Sequence, residues 1–391
     1  MPPPSSQSAG QQTSPGPEFG GRLSRFWQRV TEGLELSQLW NQFRSDARAS
    51  YRLYSRDLAA RAPQASWRHD FFRTLSEFCW AILEKLSPAR RVLLLAAVLL
   101  LFFGGGEYSH HDPSGTVTQV TLPFQFYGGA LLLVLLVLEI GDRVVMKRDL
   151  EIARDIQHWL LPATPPQVPG LAIAFATRAA NTVAGDYYDV FARAAPTAGD
   201  TRFILAVADV AGKSIPAALL MATFQASLRT LAITPSPLAD LAAGMNRYAC
   251  TNSQSGLRFT TAFLGEFNPA DSSLIYINAG HNPPVLRRNN GAVERLTIGG
   301  LPLGILAEGR YESDSVKLQA GDWLVIFTDG LVEALNARDE EYGEARLLDV
   351  LNAGASAQPD ELLRRIMASA DAFVGTTPQH DDITCMLVKA G

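Results

Sequence analysis

The stretch Phe203-Ile204-Leu205-Ala206-Val207-Ala208-Asp209-Val210-Ala211-Gly212-Lys213-Ser214 decides how the rest of the chain is read. Its apolar, largely branched run reads as a buried strand. The strand delivers a single carboxylate, Asp209, onto a turn of small residues. A helix follows over 216–230, with Pro216 tolerated in a first turn whose N–H would be unpaired anyway. Alone, Asp209 reads equally well as a helix cap or as a metal ligand at a strand rim.

Working outward, the 391 residues leave room for two or three domains. The three cysteines, Cys79, Cys250 and Cys385, are far apart, which excludes a disulfide framework or a CxxC site and favours a reducing compartment. The formal charge of −5 hides a split. Residues 22–91 carry 13 Lys/Arg against 7 Asp/Glu, so the remainder is strongly acidic. A basic leader beside apolar runs points to anionic lipid, and no nucleic-acid-binding pattern is present.

Residues 1–20 are rich in Pro, Ser, Gln and Gly and read as a disordered tail without a signal peptide. Residues 21–87 repeat Leu23, Phe26, Trp27, Val30 and Leu34 at helical spacing, which suits a basic amphipathic region on a membrane or a small helical bundle. Two apolar runs follow in 88–141: Val92–Gly106 has no charge, and Leu122–Ile140 has only Glu139. About 20 apolar residues span a bilayer. The expectation is two transmembrane helices, about 90–107 and 122–140. The first is short enough that a buried core helix is the alternative. Arg90 and Arg91 before the pair, and Arg143, Lys147 and Arg148 after it, put both chain ends and the C-terminal domain in the cytoplasm of a two-pass inner-membrane protein. Residues 142–162 read as a linker helix with seam positions Met146, Leu150, Ala153, Gln157 and Leu160, long enough to support a homodimer through 142–161 although Gln157 spoils the seam.

Residues 163–391 read as one globular domain. Strands are expected at Leu171–Thr177, Tyr187–Phe191, Phe203–Ala208, Thr260–Phe267, Ser273–Asn278, Pro284–Arg287, Tyr311–Leu318, Trp323–Phe327 and Ile383–Val388. Helices are expected at Pro216–Thr230, Pro237–Cys250, Ala345–Ala353 and Pro359–Phe373. Consecutive strands broken by two helical blocks predict an α+β domain with antiparallel sheets flanked by helices.

Further acids stand at other strand ends: Asp186 in Ala184-Gly185-Asp186-Tyr187-Tyr188-Asp189, Asp329 in Thr328-Asp329-Gly330, and Asp381-Asp382 in His380-Asp381-Asp382-Ile383-Thr384. Carboxylates near a core are costly unless a cation meets them. An all-oxygen set without nearby Cys or His favours Mg²⁺ or Mn²⁺, and a pair of such ions can activate water for attack on phosphorus. No P-loop and no GxSxG elbow competes with this reading. His281, in the tight loop Ala279-Gly280-His281-Asn282-Pro283-Pro284, reads as a general acid or as a structural loop histidine.

These motifs, with Glu151-Ile152-Ala153-Arg154-Asp155-Ile156-Gln157 and Leu160-Leu161-Pro162 upstream and Pro302-Leu303-Gly304 between, occur in one order from Leu150 to Val388. The region resembles the SpoIIE/RsbU branch of the metal-dependent (PPM-type) serine/threonine protein phosphatases. The resemblance implies an α-β-β-α sandwich, and two Mn²⁺ or Mg²⁺ ions held by Asp186, Asp209, Asp329, Asp381 and the Val210 carbonyl, with Asp382 a further member. Asp209, Asp329 and His281 are the expected catalytic residues, with His281 or water protonating the leaving group. The resemblance also implies a phosphoserine or phosphothreonine protein substrate, in this branch often a STAS-type anti-sigma-factor antagonist. The helix over 150–161 would link upstream input to the site. A non-catalytic phosphoprotein-binding scaffold is the alternative function. Two departures are small: Ala184 and Ser214 stand where the family usually has glycine.

Overall fold

A computed structural model describes residues 86–103, 106–111, 117–194, 201–252 and 258–391, together with residues 80 and 83. The expected tail (1–20) and all but residues 80, 83, 86 and 87 of the basic helical region (21–87) lie outside the described residues. The chain divides into two compact units, Met1–Glu139 and Ile140–Gly391.

In the first unit, helix α1 (Pro88–Phe102) starts on a proline, whose fixed φ and missing N–H suit a first helical turn. Strands β1 (Gly106–His111) and β2 (Val117–Leu122) pair antiparallel, Gly106 opposite Leu122. Helix α2 (Phe124–Leu160) follows. A Cβ at Gly128 would press on the Ala97 carbonyl and the Leu101 side chain, so glycine is what lets α1 and α2 touch there. An Arg90–Glu139 ion pair (3.4 Å) joins the same two helices.

Two expectations change. The segment between the apolar runs is a β-hairpin rather than a plain loop, and the second apolar run and the linker helix are one unbroken helix of 37 residues. No proline interrupts α2, and single glycines cost a helix only about 1 kcal/mol each. Among the described residues no helix is long and apolar enough to cross a membrane.

The second unit holds two sheets. In chain order its elements are β3 (Leu171–Arg178), β4 (Tyr187–Ala194), β5 (Thr201–Val210), α3 (Ser214–Leu231), α4 (Leu238–Asn252), β6 (Thr260–Asn268) and β7 (Ser273–Ala279). Then come β8 (Val285–Arg287), β9 (Val293–Arg295), β10 (Gly299–Gly300), β11 (Asp314–Lys317), β12 (Trp323–Phe327), α5 (Asp329–Val332), α6 (Gly343–Ala353), α7 (Pro359–Val374) and β13 (Ile383–Ala390). One sheet runs β10-β7-β6-β5-β4, with β11 also on β7; the other runs β3-β13-β12-β8-β9. All pairs are antiparallel except β10 with β7.

Alternation along the strands sets the layers, because successive side chains leave a strand on opposite faces. Leu324 and Ile326 of β12 and Met386 and Val388 of β13 join the core that also holds Ile204 and Leu205 of β5, with Met221 and Leu228 of α3. Their neighbours Trp323, Val325, Phe327, Cys385 and Leu387 face the other way, onto Leu347 and Leu351 of α6 and Leu362 and Ile366 of α7. The order is therefore helices, sheet, sheet, helices. Strand β5 is an interior strand of its sheet, flanked by β4 and β6, and packed on both faces. That accounts for its near-continuous apolar run.

Candidate metal centre

The two sheets bring their acids to one edge through pairing. In the first sheet Ala208 lies opposite Tyr187, so Asp209 near the end of β5 neighbours Asp186 just before β4. In the second, Phe327 lies opposite Cys385, so Asp329 after β12 neighbours Asp381 and Asp382 before β13. Cross-sheet bonds lock the edges together. Thr328 Oγ1 donates to Asp186 Oδ2 at 2.9 Å and accepts from the Thr384 N–H at 2.9 Å. Asp382 accepts from the Ala180 N–H (2.7 Å) and the Gly185 N–H (2.6 Å). Gly330 is required where it stands, since a Cβ there would collide with the Asp382 carbonyl.

The electrostatics are those of anions short of counter-charge. Asp186 is buried, and burial first and Asp209 second raise its carboxyl well above the usual range, against hydrogen bonds from Thr384 and Thr328. Asp209 is pushed up to about 7 by burial and then by Asp329, Asp381 and Asp382. Burial followed by Asp381 raises Asp329. Burial also raises Asp382, opposed by the Ala180 and Gly185 N–H groups. Lys213 brings a cation to them, 2.9 Å from Asp381 Oδ2.

This donor set fits a hard divalent cation: oxygen ligands only, several carboxylates raised by their neighbours, and one edge where they converge. Among the described residues no three His, Cys, Asp or Glu side chains stand close enough to enclose an ion by themselves. A Mg²⁺-like ion bound here would take part of its shell from water, as such ions commonly do. The Val210 carbonyl lies against Gly185, and a Cβ on Gly185 would stand only 3.1 Å from it. Asp382 already serves two backbone N–H groups, which leaves its remaining lone pairs for a cation.

His281 stands behind the acids rather than among them: its neighbour Thr261 Oγ1 also lies 3.5 Å from the Asp209 carbonyl. Its N–H is held by Asn278 Oδ1 (2.7 Å), its Nδ1 lies 3.1 Å from Thr261 Oγ1, and its Nε2 is buried without a hydrogen-bond partner. Burial pushes the imidazole down to about 4, with the Phe327 backbone opposing. At neutral pH it is uncharged. Arg178 pairs with Asp371 at 2.5 Å and lines a cavity of about 210 Å³ that also contains Glu333, Gln379 and Asp381.

Three further residues shape the site, and their roles depend on partners distant in sequence. Gln157 of α2 donates Nε2 to the Ala184 carbonyl (2.7 Å) and accepts from the Ala184 N–H (3.0 Å), tying α2 to the turn that carries Asp186. The polar intrusion into an apolar seam was the visible signal. Thr328 had no signal beyond adjacency to Asp329. Lys213 was visible only as one residue of the Asp209 turn.

Two antiparallel sheets between helical layers, with acids gathered at one edge, make a PPM phosphatase-like fold. A family model described as Stage II sporulation protein E (SpoIIE) matches residues 199–391. Phosphoserine phosphatase RsbU of Bacillus subtilis is 31% identical over 251 residues, covering 64% of this chain and 72% of RsbU. Protein IcfG of Synechocystis sp. is 28% identical over 270 residues, covering 62% of this chain and 42% of IcfG, so the chain spans less than half of that relative. The SiaA-PP2C domain of Pseudomonas aeruginosa superposes with a TM-score of 0.55 at 20% identity, over 64% of this chain and 99% of that domain. The chain belongs to the SpoIIE family, the family of RsbU.

Proposed function

We propose that the chain hydrolyses phosphoserine or phosphothreonine on a small signalling protein, with a STAS-type anti-sigma-factor antagonist as the substrate class. The observation that carries this reading is the meeting of Asp186, Asp209, Asp329 and Asp381 from two sheets at one edge. When bound, two Mn²⁺ or Mg²⁺ ions supply Lewis-acid polarisation of phosphoryl oxygens and a lowered pKa for water. Those four acids and the Val210 carbonyl would hold them. Thr328 aims Asp186, and Asp382 fixes the Ala180–Gly185 backbone. His281 or water protonates the leaving alkoxide; burial lowers the imidazole's pKa, which favours water in that role. Phosphate release from a phosphoserine-bearing STAS protein by the purified full chain, with and without Mn²⁺, tests this. Bound Mn²⁺ without turnover would leave the scaffold reading in its place.

The same proposal makes the α1–β1–β2–α2 hairpin a membrane anchor, with the chain ends on the cytoplasmic side and α2 pairing two copies through 142–161. Its support is the uncharged run Val92–Gly106 behind Arg90-Arg91, and the exposed Leu133, Val134, Leu136, Val137 and Ile140 of α2. Carbonate extraction of cell membranes decides: retention in the pellet supports the anchor, and release into the supernatant removes it.

A further inference from the structure

We infer that Lys213 is a tethered cation that competes with divalent metal for Asp381, an inference that rests on the metal-centre reading above. Its ammonium is 2.9 Å from Asp381 Oδ2 and donates to the His380 carbonyl at 2.5 Å. The receiving loop is itself braced, since Gln379 Nε2 donates to the Asp381 carbonyl (2.6 Å) and to the Arg178 carbonyl (2.9 Å). Lys213 reaches it from a turn with two left-handed residues, Gly212 (φ 122°) and Ser214 (φ 61°). That turn starts at Asp209, so one six-residue segment supplies both a ligand and its rival.

An ammonium and a divalent ion draw on the same carboxylate lone pairs. While Lys213 holds Oδ2, Asp381 is a poorer ligand. Once a divalent ion takes that oxygen, the lysine is displaced. Both side chains are about half exposed and the lysine stem is flexible, so exchange needs no backbone movement. Lys213 thereby offsets part of the acid cluster before metal arrives and yields when it does. The positive charge then stays at the edge where a phosphate dianion must dock.

The test is Mn²⁺ titration of the metal-free full chain by calorimetry, with melting of the metal-free protein alongside. Lys213→Met is expected to bind Mn²⁺ about threefold to fivefold more tightly, the size of an exposed ion pair, and to melt lower without metal. Lys213→Arg keeps the charge and is expected to bind within twofold of wild type; it also serves if Lys213→Met does not fold. In an Asp381→Asn background the effect of Lys213→Met on affinity should vanish. Unchanged or weaker Mn²⁺ binding by Lys213→Met, tighter binding by Lys213→Arg, or an effect that survives Asp381→Asn overturns the inference. A wild-type chain that binds no Mn²⁺ overturns the metal-centre reading itself.

Discussion

Gln157 grips Ala184 with both ends of its amide, donating Nε2 to the carbonyl at 2.7 Å and accepting the N–H at 3.0 Å. The pair is buried and spans 27 residues of sequence. It joins the C-terminal part of α2 to the turn two residues before Asp186. Replacing Gln157 with Leu strands both Ala184 groups. Each buried unpaired group costs about 1–3 kcal/mol. We expect a lower melting temperature and weaker Mn²⁺ binding in Gln157→Leu; unchanged metal affinity would mean that the Ala184 turn is held without it.

Asp209→Asn and Asp329→Asn remove ligands and also remove mutual repulsion. Each variant should lose phosphatase activity by about 100-fold or more, in line with the cost of losing one preorganised electrostatic group. Each should also melt higher than wild type in the absence of metal, since repulsion by neighbouring acids is among the causes that raise both carboxyls. Activity assays and calorimetry on the same preparations check both halves. A metal-free variant that melts lower would place these acids in structural roles.

Stability should depend on pH with two opposed signs. Asp209 titrates at about 7 in the fold, well above the usual ~3.9 of an unfolded chain. The folded state therefore holds more protons between those values, so metal-free stability rises as pH falls from 8 toward 6.5. His281 titrates at about 4 in the fold, below the usual ~6.5. Its contribution is complete above 6.5 and is lost as pH falls toward 4. Melting curves of wild type and His281→Asn from pH 8 to 4.5 separate the two, with the acid limb shallower in the variant. Parallel acid limbs would contradict the burial of His281.

Ser214 occupies a left-handed conformation at φ 61°, which a Cβ disfavours by roughly 1–2 kcal/mol and glycine does not. Glycine in turn loses more chain entropy, about 0.5–1 kcal/mol. Ser214→Gly should therefore leave the protein as stable or up to about 1 kcal/mol more stable, by denaturant unfolding. Destabilisation would show that the serine hydroxyl, not the backbone, matters in that turn.

Most of the second unit was legible because its signals are local. The apolar run of β5, the alternation of β12 and the glycines beside Asp186 and Asp329 all act within a few residues. Strand β11 came out shorter than the expected Tyr311–Leu318, and β9, β10 and α5, of 3, 2 and 4 residues, are too short to carry a period. What escaped reading depends on partners distant in sequence. Thr328 meets Asp186 across 142 positions, and Asp382 meets Gly185 across 197. His281 was legible as a loop histidine but not as a buried one, since burial is decided by the layers that close over it.

The central claim is that four acids from two sheets make a metal-dependent phosphatase. Its most direct measurement is phosphate release by the full chain from a phosphoserine protein, titrated with Mn²⁺ after chelation. The account predicts no release without metal, saturable release with it, and loss of that release in Asp209→Asn. Release that persists in chelator, or Mn²⁺ binding with no release from any phosphoserine or phosphothreonine protein offered, would contradict it.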